Sequence, residues 1–238
     1  MSSPRMHYAV AEHGVALLDL RPYRGRWRFM DLLTAELWSM VRSGIPADQA
    51  IDALAERLAA QKNVSAARVR KDLSTVAVGL GRARLVAPAR RTHGRPEPTV
   101  RFAGPVTVRF TTKAAAGSGL VLALVLLRCV PLRWAIGVAN AATRLPGRTA
   151  TATEADTMHA TVRQAGRIWP GRSACLEESL GTFLAAALIG RRCRWVLGAT
   201  FLPQGAHAWI EAEGSVVGQS EQDRVWPYTR VLEVERSN

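Results

Sequence analysis

Aromatic residues make up only 6% of this 238-residue chain, and cysteines number three: Cys129, Cys175 and Cys193. No two cysteines form a CxxC pair and one is left over, which argues against a disulfide framework and for a reducing compartment. Lysine is scarce, at Lys62, Lys71 and Lys113, so nearly all of the 32 basic charges are arginine, against 19 acidic ones. The N-terminal stretch has no apolar signal core, since Arg5, His7 and Glu12 interrupt it; a cytoplasmic protein is the expectation. One apolar uncharged run, Ala114 to Leu127 between Lys113 and Arg128, has fourteen residues. That is short of the roughly 20 needed to span a bilayer, so a buried or interfacial helix is expected and membrane association is not. Phosphate cradles are missing too: there is no GxxxxGK[ST], and Gly117-Ser118-Gly119 lacks a preceding strand.

What the chain does have is enough apolar residue, 48%, for one sizeable core or two small ones. Prolines at 88, 96, 98 and 105, arginines between them, and no apolar period read as an exposed basic connector over 88–105. It divides the chain into 1–87 and 106–238. In the first part, Tyr8 to Glu12, Val15 to Leu20 and Arg26 to Met30 read as strands around His13-Gly14 and Pro22 to Gly25. Asp31 is placed to cap a helix carrying Leu33, Leu37 and Trp38. Pro46 to Ala60 and Ser65 to Leu80 follow as helices, the last with Val69, Leu73, Val76 and Leu80 in one stripe. Three strands and three helices suggest a winged-helix-like unit. The second part is helical first, over Leu120 to Leu145 with a break at Pro131 and over Ala174 to Leu188. It then turns to strands at Arg194 to Phe201, His207 to Ala212, Ser215 to Val217 and Val225 to Val234, an α+β pattern.

Cys175 stands at the start of the Ala174 helix, where free N–H groups and the helix dipole favour a thiolate. A cysteine packed as a small hydrophobe is the alternative. His207, between small neighbours and two residues before Trp209, sits on a later strand that can meet the helix mouth, where an imidazole acts as base toward a thiol. A third group should orient that imidazole. Gln219 lies across the Glu213-Gly214 hairpin within a residue of register, and Glu221 and Asp223 are rivals for the role. No metal site is expected, because His159, Cys175, Cys193 and His207 lack close-paired spacing.

Cys175-Leu176-x-x-Ser179-Leu180, then Arg191-Arg192, Trp195 to Ala199, and His207-Ala208-Trp209-Ile210-Glu211-x-x-Gly214 together resemble the transglutaminase-like leader peptidase, the B protein, of lasso-peptide biosynthesis. The first 85 residues, with Leu17 to Leu20, the Trp38 helix and Asp72-Leu73, are similar to its PqqD-like precursor-recognition domain. The resemblance implies a papain-like α+β cysteine peptidase with Cys175 as nucleophile and His207 as base. It places Gln219 where the family usually has an acidic residue, and Glu178 where the family tends to a basic one. It further implies that a leader peptide pairs with the third strand and packs on the third helix, at Arg26, Trp27, Arg28, Phe29, Val69, Arg70, Leu73 and Val76. The implied partners are the precursor peptide and an asparagine-synthetase-like cyclase. No cofactor is expected on this chain, any ATP need belonging to the joint reaction with the cyclase. Two other classes fit the residues: a winged-helix DNA-binding regulator, since +13 suits phosphate contacts although nucleic acid is not the expected partner, and a Cys-His acyltransferase or transglutaminase.

Overall fold

The computed structural model describes residues 5–62, 64–86, 89–92, 99–102, 110–168, 174–219 and 228–236. The chain opens with an antiparallel pair, β1 (Met6–Ala11) and β2 (Gly14–Asp19), to which β3 (Arg26–Met30) adds on the far side of β2. Gly14 is required at the first turn: its φ of +143° is open to glycine, and a side chain there would overlap the Met30 carbonyl. Three helices follow, α1 (Leu32–Arg42), α2 (Ala47–Lys62) and α3 (Ala66–Arg82). As the sequence predicts, Asp31 caps α1, its carboxylate accepting from the Thr34 N–H at 2.7 Å. Leu37, Ile51, Leu54 and Leu73 bury the helices against one another. Leu80 and Trp38 reach the sheet face formed by Met6, Val15, Leu17 and Met30, and the Trp38 indole donates to the Leu85 carbonyl at 2.9 Å.

The opposite face of that sheet is covered as well. Ala9, Ala16, Leu18 and Leu20 belong to the same hydrophobic cluster as Leu132, Ile136, Trp195, Leu197 and Val231 from the second half of the chain. Every residue of β2 is buried. Two hydrogen bonds stitch the halves: the Leu132 N–H donates to the Tyr23 carbonyl at 2.8 Å, and the Thr92 hydroxyl donates to the Val231 carbonyl. The unbroken apolar run of β2 is the sequence sign of a strand sandwiched between two layers.

The segment 88–105 is more than a connector. Arg90–Arg91 form β4, which pairs parallel to β1, and Thr99–Phe102 form β5, which pairs parallel to β10 (Ser215–Gln219). Short strand stretches between prolines escape period-based reading because two to four residues give no period. The first sheet thus runs β3-β2-β1-β4, with β3 at an edge.

The second half contributes α4 (Phe110–Cys129), α5 (Leu132–Ala142), β6 (Arg148–Thr149), α6 (Ala152–Ile168) and α7 (Cys175–Leu188). It then continues through β7 (Arg191–Arg192), β8 (Arg194–Phe201), β9 (Gln204–Ala212), β10 and β11 (Thr229–Val234). Its main sheet has the order β11-β8-β9-β10-β5, with β11 at the edge as the sequence suggests. α7 is the central helix, buried without interruption from Ser179 to Ala186. α4 lies against it so closely that a side chain at Gly119 would meet the Gly181 carbonyl and Ala185. Among the described residues α4 is the one helix long and apolar enough to cross a membrane, yet Ala116, Leu120, Ala123 and Leu124 are buried within the fold. α6 has no counterpart in the sequence reading, because its buried face mixes Asp156, His159 and Thr161 with Ala155, Met158 and Val162.

Candidate active site

The N-terminus of α7 and the strand β9 are brought together beneath the β9–β10 hairpin. Cys175 is the first residue of α7 and is half-buried; the turn expected at residues 170–173 lies outside the described residues. His207 is on β9, opposite Gly198 of β8. Cys175 and His207 line one cavity of about 210 Å³, together with His159, Arg163, Glu178 and Gly218. The two residues singled out from sequence as a nucleophile and its base therefore face a common space.

Each is held by its neighbours. The His207 ring stacks on Trp209, with centroids 6.1 Å apart and planes at 17°, and lies 5.3 Å from the Tyr228 ring. Trp209 is fixed in turn: its indole N–H donates to Glu211 at 2.8 Å. That carboxylate is buried between Arg194, at 2.9 Å, and Arg230, at 2.8 Å, so a buried charge is satisfied by two guanidiniums and an indole. Gly198 leaves room for the Trp209 ring, which a side chain there would strike. The His-x-Trp-x-Glu spacing is thus a one-face strand pattern in which Glu211 positions Trp209 and Trp209 positions His207.

The Cys175 thiol is not the thiolate that helix placement alone predicts. Burial pushes its pKa up; a hydrogen bond from the Ala208 backbone offsets part of this, while the carboxylates of Glu177 and Glu178 push it further up. Desolvation and two acidic neighbours in the first turn outweigh the helix dipole. These surroundings favour the thiol over the thiolate, so the nucleophile calls for a base. Cys193 faces a different cavity, with Arg192 and Arg194, and its thiol is pushed up to about 12, mainly by burial. Among the described residues no group of three or more His, Cys, Asp or Glu could hold a metal ion.

Gln219 ends β10. The β9–β10 pairing runs to Val217↔Ile210, and Gln219 pairs with Phe102 of β5 beyond the register shift in β10. The Gln219 side chain, Glu221 and Asp223 lie outside the described residues.

Sequence reasoning missed the contribution of α6, which presents His159 and Arg163 to this cavity and, one turn earlier, Asp156 to the β10 backbone beside it. Asp156 accepts from the Gly218 N–H at 2.7 Å. Gly218, with φ of +72°, sits where β10 breaks register, and any side chain there would overlap the His159 ring. The Thr182 hydroxyl donates to the Glu178 carbonyl at 2.7 Å and lies 3.0 Å from His159 Nδ1. Arg163 and Glu178 form an ion pair of 3.4 Å on the cavity wall. The spacing of 156, 159 and 163 was the available signal, three and four residues apart on one helical face.

The residues expected to bind a leader are spread over two surfaces. Arg26 is exposed on the edge strand β3. Trp27 and Phe29 turn inward and pack on the shared core, Phe29 meeting Phe201 edge-on at 5.5 Å. Arg28 lies across from Leu17, its Nε buried without a hydrogen-bond partner among the described residues. On α3, Leu73 is buried in the three-helix core, Val69 and Val76 are partly buried around it, and Arg70 pairs with Asp52 at 2.6 Å on the surface.

No curated protein and no solved structure matches the chain. A match does come from the Transglutaminase-like superfamily, over residues 119–233, a span that takes in Cys175, the helix α7, His207 and the whole hairpin beside them. Members of that superfamily are typically cysteine-based enzymes, peptidases or transglutaminases. With a thiol and an imidazole lining one cavity at the mouth of its central helix, the segment 119–233 is similar to the Transglutaminase-like superfamily over the whole of the candidate site.

Proposed function

We propose that this protein is a cysteine peptidase that binds the precursor of a ribosomally made lasso peptide and removes its leader, freeing the core N-terminus for macrolactam formation. The observation that carries the reading is the shared cavity of Cys175 and His207. In the reaction the Cys175 Sγ attacks the scissile carbonyl as its proton passes to His207, the role that the raised thiol leaves to a base. Backbone N–H groups at the start of α7 face the developing oxyanion. His207 then gives the proton to the leaving amine, the new N-terminus of the core. Water, deprotonated by the same imidazole, releases the leader acid and restores the thiol. Gln219, as the proposed orienter, accepts from the far ring nitrogen of His207.

The N-terminal unit serves as the PqqD-like recognition element in this reading. Its β3 edge offers unpaired backbone groups to an extended peptide, and the order of its strands and helices suits that role. Arg26 and Arg28 draw leader carboxylates toward the edge, and Val69 and Val76 on α3 offer a second, partly buried patch to the leader. The product passes to an asparagine-synthetase-like cyclase, the partner whose chemistry uses ATP, in the cytoplasm.

The test is mass spectrometry of the full chain incubated with a synthetic lasso-peptide precursor carrying its leader. The expected result is a leader acid and a core with a free amine, abolished by Cys175→Ala while leader binding persists. Cleavage retained in Cys175→Ala refutes the assignment, and a mass gain on an acceptor in place of hydrolysis makes the domain an acyltransferase.

A further inference from the structure

From Pro98 to Thr153 the chain has no acidic residue, while Lys113, Arg128, Arg133 and Arg144 fall on or beside α4 and α5; Arg148, on β6 beyond them, is paired with Glu154. These two helices meet at a short corner, Val130-Pro131. The inner face of α4 is committed to the core through Ala116, Gly119, Leu120 and Ala123. Its outer face is apolar as well: Val121 is 54% and Val125 50% exposed, four residues apart on one stripe. α5 repeats the arrangement, with Trp134 62% exposed and Val138 on the next turn. Arg133 beside Trp134, and Arg144 past the end of α5, are exposed.

We infer that the α4–α5 corner docks on an anionic phospholipid membrane surface. The contact is peripheral: the buried inner face of α4 fixes it to α7 and leaves one stripe for lipid. Exposed valines with a tryptophan are what an interfacial contact uses, since the indole is apolar with one polar edge. Neither apolar burial nor charge alone holds a protein stably on a bilayer, and the corner joins both signals. A second copy of the chain fits poorly, because two such corners face to face bring only like charges together. Duplex nucleic acid would use the arginines and leave the valines and Trp134 without a role. The inference does not depend on the peptidase reading.

The experiment is co-sedimentation of the full chain with vesicles of phosphatidylcholine alone or of phosphatidylcholine with phosphatidylglycerol in equal parts. Binding to the anionic vesicles and not to the neutral ones is expected. Trp134→Ala with Val125→Ser should weaken it by at least about tenfold, the loss that follows from one large and one small apolar contact. Arg133→Gln with Arg144→Gln should weaken it by roughly 25-fold, taking about fivefold per charge near the surface. A charge-matched control outside both helices, Arg90→Gln with Arg91→Gln on the exposed β4, should change it by less than about twofold when the corner itself is the contact. All three variants alter exposed side chains, and unchanged thermal unfolding verifies that they fold. Equal losses in control and corner variants would reduce the binding to net charge and overturn the inference. So would no binding to anionic vesicles, or apolar variants that bind like the parent. Self-association abolished by Trp134→Ala in the absence of lipid would give the surface to a second copy instead.

Discussion

Gly218→Ala is the sharpest probe of how the cavity is built. The position has φ of +72°, and a Cβ there would run into the His159 ring. An alanine in the left-handed region costs about 1–2 kcal/mol, and forcing a methyl into an occupied, buried contact costs a further 1–3 kcal/mol or so. The substitution should therefore destabilise the fold by about 2–5 kcal/mol. It should also pull β10 off α6, lengthening the 2.7 Å bond from the Gly218 N–H to Asp156. His159→Ala removes the ring that the methyl strikes. In the double variant the steric part should vanish and only the backbone cost remain, giving a coupling of about 1–3 kcal/mol between the sites. Urea unfolding of the parent, both single variants and the double variant measures this directly. A Gly218→Ala variant within about 0.5 kcal/mol of the parent, or costs that simply add, would show that β10 is not wedged on His159.

The pH dependence of the nucleophile follows from its surroundings. Because burial and then Glu177 and Glu178 raise the Cys175 thiol, its alkylation by iodoacetamide, read on the Cys175 peptide, should still be climbing above about pH 8.5, the ordinary thiol value. Glu178→Gln should shift the curve to lower pH, and a rate already level at neutral pH would contradict the raised thiol. Raised above its unfolded value, this thiol gives stability that is complete at neutral pH and declines as alkaline pH passes through the folded value. Glu211→Gln leaves the buried Arg230 facing a neutral amide, while Arg194 keeps Glu235 at 2.6 Å, and should cost about 3 kcal/mol. Activity should fall with it as Trp209 and His207 lose their anchor, and an unchanged melting temperature would refute the network. In leader binding measured by fluorescence anisotropy, Arg28→Gln should weaken affinity more than Arg70→Gln, since Asp52 already neutralises Arg70; equal effects would remove the edge strand from the reading.

Much of the site was legible because its residues carry local signals. A cysteine at a helix start and a histidine two residues before a tryptophan on an alternating strand can each be read from a few neighbours, and both reached the cavity. The strands and helices of the first unit were equally plain, down to the Asp31 cap, because turns and caps are short-range chemistry. What stayed hidden depends on distant contacts. The α6 helix offers a polar buried face that only makes sense once Gly218, Thr182 and Glu178 stand beside it. The raised thiol reflects burial, which no spacing encodes. The strands at Arg90 and Thr99 are too short to show alternation, and they form because β1 and β10 present free edges.

The continuous core running from Ala16 and Leu18 into Trp195 and Leu197 has a mechanical consequence. Two parts fused in this way do not swing on a tether. A peptide held along the outer strand of the first sheet would meet the thiol only at a fixed stride, so the chain would gauge its substrate by length. Inserting or deleting residues between the held segment and the cut would then stall the cut while leaving the grip intact.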